Sequence, residues 1–157
     1  MKKNIIKSSA VLLTSLFCLN LFQPLTTYAA SDKAQDIVKE YLEDGSYFET
    51  TLLTLNTRST LRGAVKRTTY YNKAGDPIWH VEVTANFTFD GSSAKCTSAT
   101  ASAKSYVSNW KILDTASSRS GNSGTATALA GSYVNGVFVG SMTESVTIYC
   151  DKNGKVS

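Results

Sequence analysis

Hydrophobic and polar residues alternate over one twelve-residue stretch, Ile78 to Phe89. The odd-numbered positions are all apolar and the even-numbered ones mostly polar; the apolar set is Trp79, Val81, Val83, Ala85, Phe87 and Phe89. Because a β-strand sends successive side chains to opposite faces, this pattern predicts a strand with one face in the core. Asp90-Gly91 follows directly and suits a two-residue hairpin turn. We therefore expect this stretch to be the central antiparallel strand of the fold.

Further segments with strand-like composition follow one another about every ten residues, separated by turn residues. We predict strands over Ala64–Tyr71, Ser92–Ala103, Tyr106–Leu113, Thr125–Val134 and Val137–Tyr149. Ser46 to Asn56 is ambiguous, because its alternation is poor although its composition suits a strand. Six to seven strands at this spacing predict a mainly β fold, an antiparallel β-sandwich, with a small barrel as the alternative.

Three local signals refine this prediction. Asn135-Gly136 lies between two apolar runs, which is the strongest short-range hairpin signal. In the run that follows, the apolar residues change from odd-numbered to even-numbered positions between Val139 and Val146. Since one extra residue would bring both sets to the same face, we predict a β-bulge near Gly140. Ser117 to Gly124 is predicted to be a loop from its serine and glycine content.

Ser31 to Leu42 shows a different periodicity, which predicts a short amphipathic helix. Its apolar residues recur at three-four spacing, namely Ala34, Ile37, Val38, Tyr41 and Leu42. We expect this helix to dock on its own domain. The alternative is a helix that lies on a membrane or binds a partner, but its polar face lacks the Lys/Arg excess typical of anionic membranes.

The first thirty residues have the three-part pattern of a secretory signal peptide. Lys2, Lys3 and Lys7 precede an apolar run from Ala10 to Phe22, and small residues near Ala29 suit cleavage. An uncleaved anchor is the alternative, although the run is short for a membrane span. A lipid-attached Cys18 is excluded by the bulky residue before it. We predict a signal peptide over 1–30, a helix and linker lead over 31–63, and a β-sandwich domain over 64–157.

The charge of the chain depends on this cleavage. The full chain has a formal net charge of +4, but removal of the three signal lysines leaves 13 basic and 12 acidic residues. A nearly neutral exported domain weakens a general nucleic-acid or anionic-membrane hypothesis. We therefore predict no nucleic-acid partner and no stable membrane insertion after cleavage.

Two cysteines remain in the exported part, Cys96 and Cys150. An even pair in an exported chain predicts a disulfide, and closing a loop of about 55 residues contributes roughly 4 kcal/mol in the chain-entropy model. The alternative is two reduced thiols, possible metal ligands, which the absence of a CxxC spacing disfavours.

Candidate binding residues fall into a basic and an aromatic group. The basic cluster consists of Arg58, Arg62, Lys66 and Arg67, and it suits either a solvated edge or a docking strip for an anionic cell-wall polymer. Among the aromatic residues, Tyr70, Tyr71 and Tyr133 lie near strand ends, where a tyrosine suits a surface contact with a glycan. We expect Trp79 and Trp110 to fill the core.

Catalytic signals are sparse. His80 and Glu82 share one face of the predicted central strand, so a hydrolase that uses this pair is one hypothesis; a polar pair hydrogen-bonded across the sheet is the simpler interpretation. No nucleophile elbow, zinc motif, calcium loop or nucleotide motif is present. We predict no enzyme activity, no metal and no cofactor.

A series of short motifs carries a family resemblance. It consists of Tyr70-Tyr71, Gly75, Trp79-His80-Val81, Phe87-Thr88-Phe89, Gly91-Ser92-Ser93, Cys96-Thr97-Ser98, Trp110, Ser120-Gly121, Tyr133, Asn135-Gly136-Val137, Cys150 and Asp151-Lys152-Asn153-Gly154. Over about Ala64 to Ser157 the chain resembles small exported proteins of Gram-positive, Firmicutes-type bacteria. The resemblance implies secretion, paired cysteines and a β domain, and it implies no activity.

Three functional hypotheses follow. The first is a secreted, non-enzymatic binding module for a cell-wall polymer or extracellular glycan, free outside the cell or associated with the wall. The second is a bacteriocin-like toxin whose Ser31–Leu42 helix and Ser/Thr-rich hairpin act on a target membrane. The third is the hydrolase that uses His80 and Glu82.

Overall fold

The computed structural model describes residues 34–55 and 59–157, and for 34–36 only the backbone; the predicted signal peptide lies outside these ranges. The described chain is mainly β, with eight antiparallel strands and no helix. Five strands form one sheet in sequence order: β1 (Ala34–Tyr41), β2 (Tyr47–Leu55), β3 (Leu61–Tyr71), β4 (Pro77–Phe89) and β5 (Ala94–Ser105). Three form a second sheet: β6 (Trp110–Ser120), β7 (Ser123–Val134) and β8 (Val137–Tyr149). The two sheets pack in a sandwich-like arrangement.

The core lies between β4 and the second sheet, which confirms the predicted apolar face of this strand. In the five-stranded sheet, β4 is an interior strand next to β3, which is the middle one. Trp79, Val81, Val83, Ala85 and Phe87 are all completely buried. The second sheet faces them with small side chains on β7 and larger ones on β8, namely Gly124, Ala126, Ala128, Ala130, Val146 and Ile148. A Cβ added at position 124 would lie 3.0 Å from the Ala85 methyl group, so the small residues of β7 allow the sheets to approach closely.

Aromatic rings close one end of this core. Trp79 and Trp110 have ring centroids 6.4 Å apart, and the ring of Tyr70 lies 5.8 Å from that of Trp110. Phe48 on β2 meets Trp79 edge to face at 6.2 Å. Trp79 and Trp110 therefore fill the core as predicted, and Tyr70 belongs to the same cluster.

The helix predicted over Ser31–Leu42 is wrong for the residues that the structure describes. Ala34–Tyr41 forms strand β1, which pairs with β2 from Tyr41 opposite Tyr47 onward. A helix of about three turns is marginal on its own, whereas β-branched Ile37 and Val38 suit an extended strand with a partner. Within the ambiguous Ser46–Asn56 segment, Tyr47–Leu55 forms strand β2, and Asn56 lies outside the described residues. The predicted lead therefore contributes two strands to the five-stranded sheet.

Two turn predictions need correction and two are confirmed. The β4–β5 connection has four residues instead of two, because the Asp90 carboxylate accepts hydrogen bonds from the Ser92 and Ser93 amides. The loop predicted over Ser117–Gly124 contracts to a tight turn at Gly121 and Asn122, since β6 runs to Ser120.

The Asn135-Gly136 hairpin is confirmed, with positive φ at both residues. The bulge is confirmed too: Ser132 pairs with Gly140 and Tyr133 with Phe138, which leaves Val139 as the extra residue.

The predicted disulfide is not formed in the structure, which contains Cys96 and Cys150 as free, buried cysteines. Both lie at the end of the sandwich opposite the aromatic cluster. Their amides donate to consecutive carbonyls of the β6–β7 turn, Cys96 to Gly121 and Cys150 to Asn122. Both strand ends are thus bound to the same turn, and Cys96 is one of the groups that raise the pKa of Cys150. Burial raises the pKa of both thiols, so each is a weak nucleophile at neutral pH.

Candidate functional site

The outer face of the five-stranded sheet, opposite the face on which the second sheet packs, has a line of tyrosines at one end. Tyr41 on β1 pairs with Tyr47 on β2, and Tyr47 pairs with Tyr71 on β3. Paired residues of neighbouring strands share a face, so these three side chains are neighbours across the sheet. Tyr106, just after β5, continues the line where its hydroxyl meets His80 of β4. We call Tyr41, Tyr47, Tyr71 and Tyr106 the tyrosine row.

The rings in the row differ in what they offer to a ligand. Tyr47 and Tyr71 stack with centroids 4.9 Å apart and an interplanar angle of 8°, so each covers one face of the other. Tyr41 lies 5.2 Å from Tyr47 and is tilted by 40°. Tyr41 is 67% exposed and Tyr106 42%. The two ends of the row therefore present ring surface to solvent, and the stacked pair between them is half-buried.

Burial raises the pKa of Tyr71, and the neighbouring Glu49, Tyr47 and Tyr106 add to the rise. The Tyr71 phenol therefore stays protonated over the physiological range and can donate as well as accept a hydrogen bond.

Charged side chains of both signs flank the row. Lys39 Nζ lies 3.2 Å from Glu49 Oε2 and 4.8 Å from the ring centroid of Tyr47. The hydrogen bond to Glu49 is the main cause that raises the pKa of Lys39. Lys104 Nζ lies 5.6 Å from the ring centroid of Tyr106. This arrangement provides hydrogen-bond donors and acceptors beside apolar rings, with little net charge.

His80 and Glu82, the pair of the hydrolase hypothesis, each form hydrogen bonds with a different residue. His80 is 7% exposed, and its Nδ1 lies 2.7 Å from the Tyr106 hydroxyl. Glu82 accepts from Arg67 Nε at 2.8 Å and Nη2 at 2.6 Å. Burial lowers the pKa of His80, and the positive charges of Arg67 and Lys104 lower it further, against the opposing effect of Glu82. A neutral His80 positions Tyr106, while Glu82 joins β3 to β4.

The structure separates the predicted basic cluster. Arg62 Nε donates to the Gly154 carbonyl at 2.7 Å, and Lys66 Nζ donates to the Thr147 carbonyl at 3.0 Å, so both bridge to the second sheet or the C-terminal turn. Burial lowers the pKa of Lys66. Arg67 lies on the outer face, paired with Glu82. Arg58 lies outside the described residues. The cluster is thus not a continuous cationic strip.

The three predicted tyrosines also fall in different places. Tyr70 packs in the aromatic core, whereas Tyr71 lies in the tyrosine row. Tyr133 lies on the second sheet, edge to face with Phe138 at 5.7 Å and with Lys111 Nζ 4.8 Å from its ring centroid. Only Tyr71 thus belongs to the candidate site.

Tyr41, Tyr47 and Tyr106 were not among the residues predicted from the sequence. The spacing of apolar residues predicts a helix at Tyr41, and a helix does not pair Tyr41 with Tyr47. A hairpin centred on the turn Leu42–Ser46, with positive φ at Gly45, would have brought the two rings together. The sequence signal was Asp44-Gly45, a turn dipeptide between two tyrosines.

A second concave region lies at the other end of the sandwich. It is an open groove of about 800 Å³ beside the β4–β5 and β6–β7 turns, lined by Thr88, Lys95, Cys96, Thr97, Arg119 and Gly121 among others. Arg119 is hydrogen-bonded to the Thr97 carbonyl across this groove. Of its two cations, Lys95 and Arg119, the second is bonded to backbone, and the Cys96 thiol is buried. The groove therefore lacks the set of convergent polar groups that is typical of a small-molecule site.

Within 34–55 and 59–157, no cluster of three His, Cys, Asp or Glu side chains could hold a metal ion. In that part of the chain no helix is sufficiently long and apolar for a membrane span.

Comparison with protein-family models, curated proteins and solved structures gives no match for this chain. Its function is therefore inferred from the geometry of the tyrosine row and from the sequence.

Proposed function

We propose that this protein is a secreted, non-enzymatic binding module for an extracellular or cell-envelope glycan, and that the tyrosine row holds the glycan. The observation that carries the proposal is the alignment of four tyrosines across the outer face of the sheet, which no strand of residues 34–55 and 59–157 covers, with the most exposed rings at its ends. Export is inferred from the pattern of the first thirty residues.

The row suits a sugar polymer because its chemistry is amphipathic. A pyranose ring has apolar C–H faces that pack on aromatic rings and hydroxyls that exchange hydrogen bonds with polar side chains. Tyrosine offers both an apolar body and a polar tip. Strands lie about 4.8 Å apart, so the row from β1 to β5 spans about 19 Å. A platform of this length favours a chain of several sugar units over a single one.

The charge pattern favours a glycan over an anionic polymer. Lys39 is paired with Glu49 and Arg67 with Glu82 on this face. A phosphate-rich polymer would have to displace these carboxylates, whereas a neutral glycan could use them as acceptors. Binding is therefore expected to survive high salt, because apolar stacking and neutral hydrogen bonds are screened little.

The alternatives are less well supported. The toxin hypothesis relied on a helix over Ser31–Leu42, where β1 lies instead. The hydrolase hypothesis relied on His80 and Glu82, whose hydrogen bonds hold Tyr106 and Arg67. These contacts support a structural role for the pair, and we propose binding without catalysis.

The test is co-sedimentation with purified Gram-positive cell walls, with and without their anionic polymer, at low and high salt. We expect salt-resistant pelleting that does not need the anionic polymer. Tyr41→Ala should weaken binding about tenfold, since truncation of an exposed aromatic anchor typically costs more than 1 kcal/mol. Tyr149→Ala is the matched control, because Tyr149 is 53% exposed on β8, away from the row.

Two results would overturn the proposal. One is equal pelleting of the Tyr41→Ala and Tyr149→Ala variants. The other is a wild-type protein that stays in the supernatant with every wall preparation. Circular dichroism of each variant confirms that a loss of binding does not reflect unfolding.

A further inference from the structure

The tip of the β7–β8 hairpin exposes a group of large apolar side chains. We define the hairpin tip as residues 133–139, around the turn at Asn135 and Gly136. Val134 is 58% exposed, Val137 66%, Phe138 51% and Val139 58%. Such a concentration of exposed apolar surface marks a contact site in a soluble domain.

The apolar residues of the tip lie on both of its faces. Val134 pairs with Val137, so these two share one face, and Tyr133 pairs with Phe138 on the other. Leu113 of β6, 46% exposed, adds to the second face, because it and Phe138 both adjoin Gly131. A single protein surface would cover only one face of the hairpin tip. The apolar interior of a lipid bilayer would surround both faces.

The charge distribution along the hairpin also favours contact with a lipid bilayer. No Asp, Glu, Lys, Arg or His occurs from Ser120 to Thr143. Tyr133 lies level with its partner Phe138, one residue behind Val134 and Val137, and Lys111 lies opposite Gly131, farther from the turn, with its Nζ 4.8 Å from the Tyr133 ring centroid. Two valines next to the turn, then a tyrosine, then a cation match the order of hydrocarbon, interface and anionic headgroup in a bilayer.

The size of the tip sets the depth that it can reach. From Tyr133 to the turn the chain advances two to three residues, or about 7–10 Å at strand spacing. Elements that lie in the membrane interface penetrate about 5–10 Å. Main-chain pairing continues to Val134 opposite Val137, next to the turn, so few backbone groups would lose hydrogen bonds on entry.

We propose that the hairpin tip inserts shallowly and reversibly into the surface of an anionic lipid bilayer. This site is separate from the tyrosine row: the tip belongs to the three-stranded sheet and the row to the five-stranded sheet. Failure of either proposal leaves the other standing, since glycan and lipid binding are measured with different probes and variants.

The test is flotation with vesicles of phosphatidylcholine and phosphatidylglycerol, compared with vesicles of phosphatidylcholine alone. Wild-type protein and variants are used in the processed form that expression yields, with the N-terminus identified by mass spectrometry, so that any contribution of the leading segment is common to all. The tip variant is Val137→Asn. Its matched control is Val38→Asn, because Val38 is 61% exposed on β1, far along the chain from the hairpin.

We expect wild-type and Val38→Asn proteins to float with anionic vesicles, and Val137→Asn to bind about tenfold more weakly, because it loses most of a buried valine's transfer free energy. A Val137→Trp variant reports how deeply the tip inserts. The fluorescence of the added tryptophan should shift to the blue on binding to vesicles. It should be quenched best by lipids that carry bromine near the headgroup end of the acyl chain.

Three outcomes overturn the proposal. The first is no flotation of the wild-type protein with either vesicle. The second is equal loss of binding in the Val137→Asn and Val38→Asn variants, which indicates general adhesion. The third is self-association in lipid-free solution that Val137→Asn abolishes while vesicles leave the Val137→Trp emission unchanged, since the tip is then covered by a second copy.

Discussion

The ring of Tyr47 lies parallel to that of Tyr71, with centroids 4.9 Å apart and planes within 8° of each other. This contact joins β2 to β3 on the outer face of the sheet and holds the middle of the tyrosine row in one conformation. A ligand that contacts the row therefore meets rings that are already ordered, which lowers the entropic cost of binding.

The stacked pair should show a measurable coupling energy. In urea unfolding, the variants Tyr47→Leu, Tyr71→Leu and the double variant form a cycle. We expect a coupling of about 0.5–1.5 kcal/mol, the usual range for aromatic pairs. The variants Tyr47→Leu and Tyr149→Leu, which lie on different sheets, should instead be additive. Additivity in both cycles would show that the stacking contributes nothing to stability.

Gly154 should be intolerant of a side chain. It has a φ of +81°, and an added Cβ would overlap the ring of Phe89. Gly154→Ala is expected to lower the free energy of unfolding by about 2–4 kcal/mol, the sum of left-handed strain and overpacking. Gly91 has a similar φ of +84° but open space around it. Gly91→Ala should therefore show the strain alone, about 1–2 kcal/mol, and equal losses in the two variants would disprove the contact with Phe89.

His80 should make stability depend on pH in mildly acidic solution. Burial lowers its pKa in the folded protein below the ordinary value of 6.5, so the unfolded chain binds the proton more readily. The free energy of unfolding is then fully retained above pH 6.5 and falls as the pH drops from there toward the folded-state pKa. Arg67, Lys104, Glu82 and Tyr106 are the charged and titratable groups around the imidazole.

The measurement is urea unfolding of the wild-type and His80→Gln proteins at pH 7.5 and pH 5.5. Other groups titrate alike in both proteins, so the difference between them isolates His80. We expect the wild-type protein to lose more stability between these pH values than the variant. The same loss in both proteins contradicts the assignment.

Glu144 on β8 should destabilise the folded state at neutral pH. Burial raises its pKa above the ordinary value of 4.5, and the nearby Glu40 adds to the rise. The charged form is therefore disfavoured by folding, a penalty that grows as the pH rises from 4.5 through the folded-state pKa. Glu144→Gln is expected to increase the free energy of unfolding at pH 7 by less than about 1 kcal/mol, because the site is partly solvated.

The same variant at pH 4 provides the control, since most of the penalty is absent there. Glu43→Gln, at an exposed position in the β1–β2 turn, should leave stability almost unchanged at both pH values. An unchanged or lower stability of Glu144→Gln at pH 7 would contradict the account of this carboxylate.

Local patterns predicted much of the β structure. The alternation from Ile78 to Phe89 identified the central strand, and the parity change after Val139 located the bulge beside Gly140. Asn135-Gly136 identified the hairpin, because two residues with positive φ fit the twist of paired strands. Each of these features depends on residues close together in the chain.

The errors occurred where tertiary pairing outweighs local preference. Ala34–Tyr41 has helical spacing of apolar residues, yet it gains a full ladder of hydrogen bonds by pairing with β2. The sequence does not predict the tyrosine row for the same reason, since the row exists only once the strands from β1 to β5 are in register. The residues of the predicted basic cluster lie within ten positions of the sequence, but alternate residues of β3 point to opposite faces, so Lys66 and Arg67 separate.

The tyrosine row is tested most directly by chemical-shift mapping of the isotope-labelled protein with soluble fragments of the wall glycan. The account predicts that the largest shifts cluster at Tyr41, Tyr47, Tyr71 and Tyr106, on the outer face of the five-stranded sheet, and that Tyr41→Ala weakens the titration. Shifts confined to the three-stranded sheet, or no shifts at saturating glycan, would contradict it.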